Sequence, residues 1–309
     1  MLIFVKVPDI MNIYTRIDIN MFINFEGRKS MYNDVKFSVF TKPWKDISLE
    51  ELAFLVKDMG FDAIEYPLRA GYQVQPEDGA AGIKKLCSVM NSNGLEISSI
   101  AGGIDVRFVE GSNEVIGIDE ELFAGCGEAG VKIIRICQNM ERGLDFHQNL
   151  DQIRYKYDAL LPYCEKYNVT LGVQMHFGYS ISNSAETYLL LKDYDPRYIA
   201  AVWDSGHSGL AGNEPSFAID TVWEQLCMVN FKAAYRWRIN GPEQFPAKWD
   251  VHWTTGKNAC GEWKEAVDHL KKRGYKGYIC LPAEYSDEAN VEAYTREDIA
   301  YIKQLFADK

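Results

Sequence analysis

From Val35 onward a strand-like run and a helix-like run alternate eight times, and no other feature of the sequence restricts the fold as much. The strand-like runs are short and apolar or β-branched, bounded by turn formers, and the helix-like runs are longer and carry capping residues. The strand-like runs are Lys36–Phe40, Asp62–Tyr66, Leu95–Ile100, Val131–Ile136, Thr170–Met175, Ile199–Trp203 leading into Asp204, Cys227–Lys232 and Gly277–Leu281. The first helix is capped by Ser48 and closed by Gly60, and the others cover about 80–92, 119–129, 150–167, 185–192, 216–225, 263–272 and 291–306. Runs such as Ile199–Trp203 are apolar throughout, as expected of parallel strands buried on both faces. A repeat of one strand and one helix, with the last strand able to pair with the first, points to a closed (β/α)₈ barrel. An open doubly wound sheet would place a glycine-rich turn after its first strand, and Phe40-Thr41-Lys42-Pro43-Trp44 contains no glycine. The expectation is a single-domain TIM barrel over residues 34–309 with a short N-terminal extension, residues 1–33.

That extension begins with an apolar run, Met1–Val5, which Lys6, Pro8 and Asp9 interrupt before a signal-peptide core can form. Ile13–Ile19 then alternates like a short strand, and Met31 stands just before the first barrel strand. An appended segment, or a start codon upstream of the domain proper, accounts for this. Elsewhere the chain lacks an uninterrupted apolar segment approaching the ~20 residues of a membrane span. The seven cysteines are odd in number and include no C-x-x-C pair, which suggests reduced thiols in a cytoplasmic protein. A net charge of −11, from 44 acids against 33 bases, argues against nucleic acid as a partner.

In a barrel, chemistry gathers at the carboxyl ends of the strands. Here those ends are polar. The second carries Glu65, with Arg69 in its loop; the fifth ends Gln174-Met175-His176; the sixth ends Asp204-x-x-His207; and the seventh ends Asn230-x-Lys232. A polar, Trp-rich loop of about 28 residues follows, carrying Asp250-Val251-His252, and the eighth strand leads to Glu284. Trp44, Trp203, Trp237, Trp249, Trp253 and Tyr179 lie in or near the rim, where aromatic faces could pack on the C–H faces of a sugar, although Trp203 could equally face a helix. Arg69, Arg236 and Arg238 could meet a carboxylate or phosphate.

The chain resembles the xylose-isomerase-like TIM barrels, a superfamily of sugar isomerases and epimerases that also includes endonuclease IV. The resemblance spans about residues 35–307 and rests on Asp204-x-x-His207, on Lys232 after the seventh strand, and on the closing run Gly256…Gly261-Glu262-Trp263-Lys264…Gly274-Tyr275-Lys276-Gly277-Tyr278…Glu284. It implies a divalent ion held by a Glu, an Asp, a His and a Glu from strands five to eight. Asp204 and Glu284 match two of these, whereas Gln174 and Asn230 stand where the strand-five Glu and the strand-seven His belong. An all-oxygen set of Gln174, Asp204, Asn230 and Glu284 would favour Mn²⁺ or Mg²⁺ over Zn²⁺. His207, Asp250 and His252 could form a second site, as in multi-metal members. The alternative is a metal-free pocket whose acids hydrogen-bond sugar hydroxyls.

The resemblance implies proton abstraction beside a carbonyl. Gln174 cannot be one of two bases, which leaves a single-base aldose–ketose isomerisation or a dehydration, with Glu284 as base and Lys232 or His176 stabilising the enolate oxygen. Glu65, Arg69, Trp44, Arg236 and Trp253 are the expected substrate contacts. The expected partner is a small-molecule sugar, with homo-oligomer formation through the loop after strand seven as a further expectation. A catalytically silent sugar-binding barrel is the competing reading, and the acidic charge disfavours an endonuclease-like role.

Overall fold

A computed structural model describes residues 34–178, 180–258 and 260–308. The extension 1–33, with its alternating Ile13–Ile19, and the rim candidate Tyr179 lie outside the described residues. Eight parallel strands close into a barrel: β1 (Val35–Phe40), β2 (Ala63–Leu68), β3 (Glu96–Gly102), β4 (Ile133–Cys137), β5 (Thr170–Gln174), β6 (Ile199–Asp204), β7 (Leu226–Asn230) and β8 (Gly277–Leu281). Each pairs with its sequence neighbours, and β1 closes on β8 in a register running from Val35↔Gly277 to Val39↔Leu281. The eightfold expectation therefore holds, with boundaries shifted by a few residues. The largest shift is in the long helix, which starts at Phe146 instead of near 150 because Asp145 and Gln148 form a reciprocal capping box there. Among the described residues no helix is long and apolar enough to cross a membrane.

Three pieces differ from expectation. The β6 end continues directly into a short helix, Ser205–Leu210, which is not among the helices expected, because the Asp204 side chain caps it by accepting from the His207 N–H at 3.0 Å. The loop after β3 contains a small hairpin, Arg107–Phe108 with Val115–Ile116. The Trp-rich stretch after β7 is an antiparallel ribbon, Ala233–Arg238 paired with Trp249–Thr254, instead of an open loop. Its alternation of ring and guanidinium, Tyr235-Arg236-Trp237-Arg238, suits a two-faced strand although it lacks an aliphatic face.

Strand alternation also explains how the core gives way to a polar mouth. Phe40, Ala101, Ile133, Val202, Met228 and Cys280, from six different strands, form one buried cluster. Two residues further along the same faces come Arg135 after Ile133, Asp204 after Val202 and Asn230 after Met228, all buried. The interior is therefore apolar until its last layer and polar at the carboxyl ends. Trp203 belongs to the opposite face. It is fully buried, edge-on to Phe231 at 6.0 Å, and Phe231 in turn packs on Trp263 of the helix Trp263–Arg273.

Candidate active site at the barrel mouth

The polar layer is a continuous hydrogen-bonded chain across five adjacent strands. Glu65 on β2, with no solvent exposure, accepts from the Ser99 hydroxyl of β3 at 2.8 Å. It also accepts from Arg135 of β4, through Nε at 2.8 Å and Nη2 at 2.5 Å. The Arg135 Nη1 donates to Gln174 Oε1 on β5, and Gln174 Nε2 donates to Asp204 Oδ2 on β6 at 2.6 Å. This fixes the amide orientation: a flipped Gln174 would set donor against guanidinium and acceptor against carboxylate. Burial pushes the Asp204 carboxyl up to about 6, even though Lys232, the His207 N–H, Gln174 and Arg135 all favour its charged form.

Beside this chain lies an ammonium–carboxylate cluster. Lys232 Nζ is 2.6 Å from Glu284 Oε2, and Lys42 Nζ is 2.5 Å from Glu284 Oε1, so both carboxylate oxygens are taken by cations. Burial pushes the Glu284 carboxyl up, but the two lysines overcome this and hold it at about 2. The Lys232 ammonium also sits over the Trp253 ring, 3.7 Å from its centroid, a close cation–π contact. Its backbone is clamped as well. Ser205 Oγ donates to the Lys232 carbonyl at 2.6 Å and accepts from its N–H at 2.9 Å, and the Trp263 indole donates to the same carbonyl at 3.2 Å. Gly206 is needed here, since a Cβ would stand 2.9 Å from that carbonyl oxygen. Ala283, just before Glu284, adopts φ +51°, a left-handed conformation rare for a residue with a Cβ.

Two histidines complete the mouth. Their rings are 4.1 Å apart, and both are set by the backbone of Phe177, whose N–H donates to His207 Nδ1 at 3.1 Å while its carbonyl lies 3.1 Å from His176 Nδ1. The partners assign the tautomers: His207 carries its proton on Nε2, and His176 carries it on Nδ1, which leaves a lone pair on Nε2. Burial and the nearby Lys232 lower both rings, His207 well below 6.5, so both are neutral at neutral pH. His207 also meets the edge of Trp253, at 4.8 Å between ring centroids.

The sequence pattern described as the xylose isomerase-like TIM barrel matches residues 54–305. The chain belongs to that family. Among curated relatives, the inosose dehydratase of Mesomycoplasma hyopneumoniae (strain 7448) is 21% identical over 150 residues, covering 46% of this chain and 50% of the relative. The chain thus matches about half the length of that relative. Among solved structures, a D-psicose 3-epimerase in the presence of D-fructose superposes with a TM-score of 0.63 at 12% identity, covering 88% of this chain and 100% of the other. An L-ribulose 3-epimerase gives 0.66 at 13% identity, covering 88% and 94%. At such identities the likeness establishes the shared fold.

Of the residues singled out from sequence, the mouth brings together Glu65, Gln174, His176, Asp204, His207, Asn230, Lys232, Trp253 and Glu284. Arg69 lies over the Phe40 ring at 5.8 Å, with Arg135 also over it at 4.9 Å, and Arg236 lies between Phe177 and Trp249 at 5.9 and 5.6 Å. Trp44 is half-buried in a short turn of helix, Lys42–Trp44, with its carbonyl accepting from Gln73, and none of its described contacts ties it to the cluster. The expected second metal site does not form. Asp250 and His252 share the face of the ribbon opposite Trp253; the His252 ring lies tilted against Tyr235 and Trp237 at 5.1 and 5.5 Å, whereas His207 packs on Trp253. Strand alternation separates the three residues that the sequence grouped, and among the described residues no group of three His, Cys, Asp or Glu is placed to hold a metal ion. Arg135, Lys42 and Phe177, which the strand-end reading missed, turn out to organise the site.

The family's single-ion set fares little better. The Gln174 carbonyl oxygen is committed to Arg135 and both Glu284 oxygens to lysines, while Asp204 is held by Gln174 and the His207 N–H. Within this four-residue set Asn230 Oδ1 alone is buried without a hydrogen-bond partner among the described residues, which suits a ligand hydroxyl but supplies one donor where a hard cation needs about six. The residues present do not fit a divalent ion.

Proposed function

We propose that the chain is a sugar or keto-sugar isomerase that moves a proton between carbons next to a carbonyl. One observation carries the reading: the Lys232 ammonium, fixed between Glu284 and the Trp253 face, is near enough to help keep His176 neutral, and His176 Nε2 has no hydrogen-bond partner among the described residues. Lys232 has N–H donors beyond the one given to Glu284, and these would hold the substrate carbonyl oxygen and the negative charge it gains. His176 Nε2 would take the proton from the carbon beside the carbonyl and return it to the former carbonyl carbon, while the hydroxyl proton of the first carbon passes to the former carbonyl oxygen, so that carbonyl and hydroxyl exchange places. Glu284, the base expected from sequence, is better suited to positioning Lys232, because both of its oxygens are occupied and its basicity is low. Trp253, Arg69 and Arg236 would grip the polyol, and Asn230 Oδ1 would accept from a buried hydroxyl. Gln174 as an amide supports a single-base proton shuttle over a two-carboxylate epimerisation.

A second reading is dehydration, favoured by the curated relatives named inosose dehydratase. It begins with the same proton removal; the enolate then expels a β-hydroxyl, which takes up a proton and leaves as water. Both readings are tested by incubating the protein with a panel of keto- and aldo-sugars in D₂O. Isomerisation places deuterium next to the carbonyl, and dehydration gives a product lighter by one water. His176→Gln should slow either reaction by about 10²–10⁴-fold. If the folded protein exchanges and dehydrates no sugar but still binds one, the barrel is a sugar-binding protein and the enzymatic reading fails.

A further inference from the structure

We propose that the Lys232 ammonium takes the place of the divalent ion in this chain, so that the site is charge-balanced and works without a metal. The inference rests on the sugar-enzyme reading above for the word "works", but its central claim, that the site holds no ion, stands on geometry alone.

The charges come first. Three acidic side chains line the mouth, Glu65, Asp204 and Glu284, and three basic ones meet them, Arg135, Lys232 and Lys42. The side chains of Glu65, Arg135 and Lys232 are at most 8% exposed, and Asp204 is fully buried. A divalent ion added to this balanced set would bring two uncompensated charges into a poorly solvated layer, where an unpaired charge is costly.

The donors come second. Of the two family ligands replaced here, Gln174 has turned its oxygen to a guanidinium and its nitrogen to Asp204, and Asn230 keeps one oxygen and no negative charge. The two retained acids are held by fixed donors. An ion could enter only if Lys232 left Glu284 and the Trp253 face while Gln174 gave up two hydrogen bonds in opposite directions. The ion pair with Glu284 and the contact with the Trp253 face oppose the first of these movements.

The third point is what remains. The ammonium lies against Glu284 and the Trp253 ring, and it is close enough to influence Asp204, His176 and His207 electrostatically. Asp204 and Glu284 among them are the two acids that match the family's ligand set. An ammonium there can polarise a carbonyl by hydrogen bonding, which is the service the ion would otherwise provide as a Lewis acid.

The test is metal binding to the full chain, measured apart from turnover. After chelation, the wild-type protein is dialysed against Mn²⁺ and Mg²⁺, and binding is followed by elemental analysis and by the electron paramagnetic resonance of Mn²⁺. The expected result is no stoichiometric ion. The double variant Lys232→Gln with Gln174→Glu removes the resident cation and restores an acidic ligand, and it should bind Mn²⁺ at least about tenfold more tightly than wild type. Stoichiometric Mn²⁺ on wild type, lost in Asp204→Asn, would overturn the proposal, as would deuterium exchange into a sugar that appears only when Mn²⁺ is added. If the double variant does not fold, the wild-type measurement decides. Absence of exchange with every sugar would sink the enzymatic reading while the binding result stood.

Discussion

Arg135 gives the most exacting test of the polar layer, because three of its nitrogens hold two neighbours in place. In Arg135→Met the aliphatic stem is largely conserved, so packing beside Phe40 changes little, but Glu65 loses both charged hydrogen bonds and keeps only the Ser99 hydroxyl. Glu65 has no solvent exposure, so water cannot substitute for the guanidinium. Removing one partner of such a buried pair leaves an uncompensated charge, which costs about 3–5 kcal/mol. That is a large share of the 5–15 kcal/mol typical of a domain. Adding Glu65→Gln removes the stranded charge while an amide oxygen can still accept from Ser99, so the double variant should recover about 2 kcal/mol, the remainder reflecting an incompletely paired buried amide. The assay is urea unfolding at pH 7 followed by tryptophan fluorescence, for which fully buried Trp203 and nearly buried Trp263 provide the signal. A double variant no more stable than Arg135→Met alone would refute the reasoning, since the loss would then come from packing and not from the stranded carboxylate.

Two further outcomes follow from local geometry. Burial pushes the Asp298 carboxyl from 3.8 up to about 7, against the hydrogen bonds from the Gly256 N–H and the Tyr285 hydroxyl. A raised folded-state value favours the protonated form, so this contribution to stability is complete below about pH 4 and is lost as pH rises through about 7, an effect of at most about 4 kcal/mol. Urea midpoints should show that slope in wild type and a flatter one in Asp298→Asn; equal slopes would count against it. Gly261 has φ +88°, and a Cβ there would stand 2.3 Å from the Ser205 carbonyl oxygen, so Gly261→Ala should cost about 1–3 kcal/mol. Because Ser205 clamps Lys232, the same substitution should also slow sugar exchange, and unchanged stability would show that the backbone yields freely.

The barrel was legible because its signal is local and repeated: each strand and helix announces itself within about a dozen residues. Asp204, Lys232 and Glu284 were legible for a related reason, since knowing where a strand ends gives the position of the mouth. Arg135 was not, because within Ile133–Cys137 it looks like an interruption of an apolar run, and its partner Glu65 lies 70 positions away. Lys42 is further still, 242 positions from Glu284, and only barrel closure through β1 and β8 makes them neighbours. Asp250 and His252 failed for the opposite reason. Sequence proximity suggested a shared site with the mouth, but the ribbon's period of two sends them to the face away from His207.

These misses bear on how the site departs from its family. Taken one at a time, Gln174 and Asn230 look like damage to a metal centre. In the structure Gln174 belongs to one hydrogen-bonded layer with Arg135 and Asp204, beside the Lys232–Glu284–Lys42 cluster. A glutamate at 174 would touch Asp204 across the present 2.6 Å contact, placing two carboxylates together in a layer where Asp204 is already pushed up to about 6. The amide avoids that repulsion, and its oxygen gives Arg135 a partner besides Glu65. In the same way Glu284 between two lysines needs no ion for neutrality. The acids at Asp204 and Glu284 are therefore weak evidence for a metal in a chain whose lysines, amide and backbone donors already satisfy them.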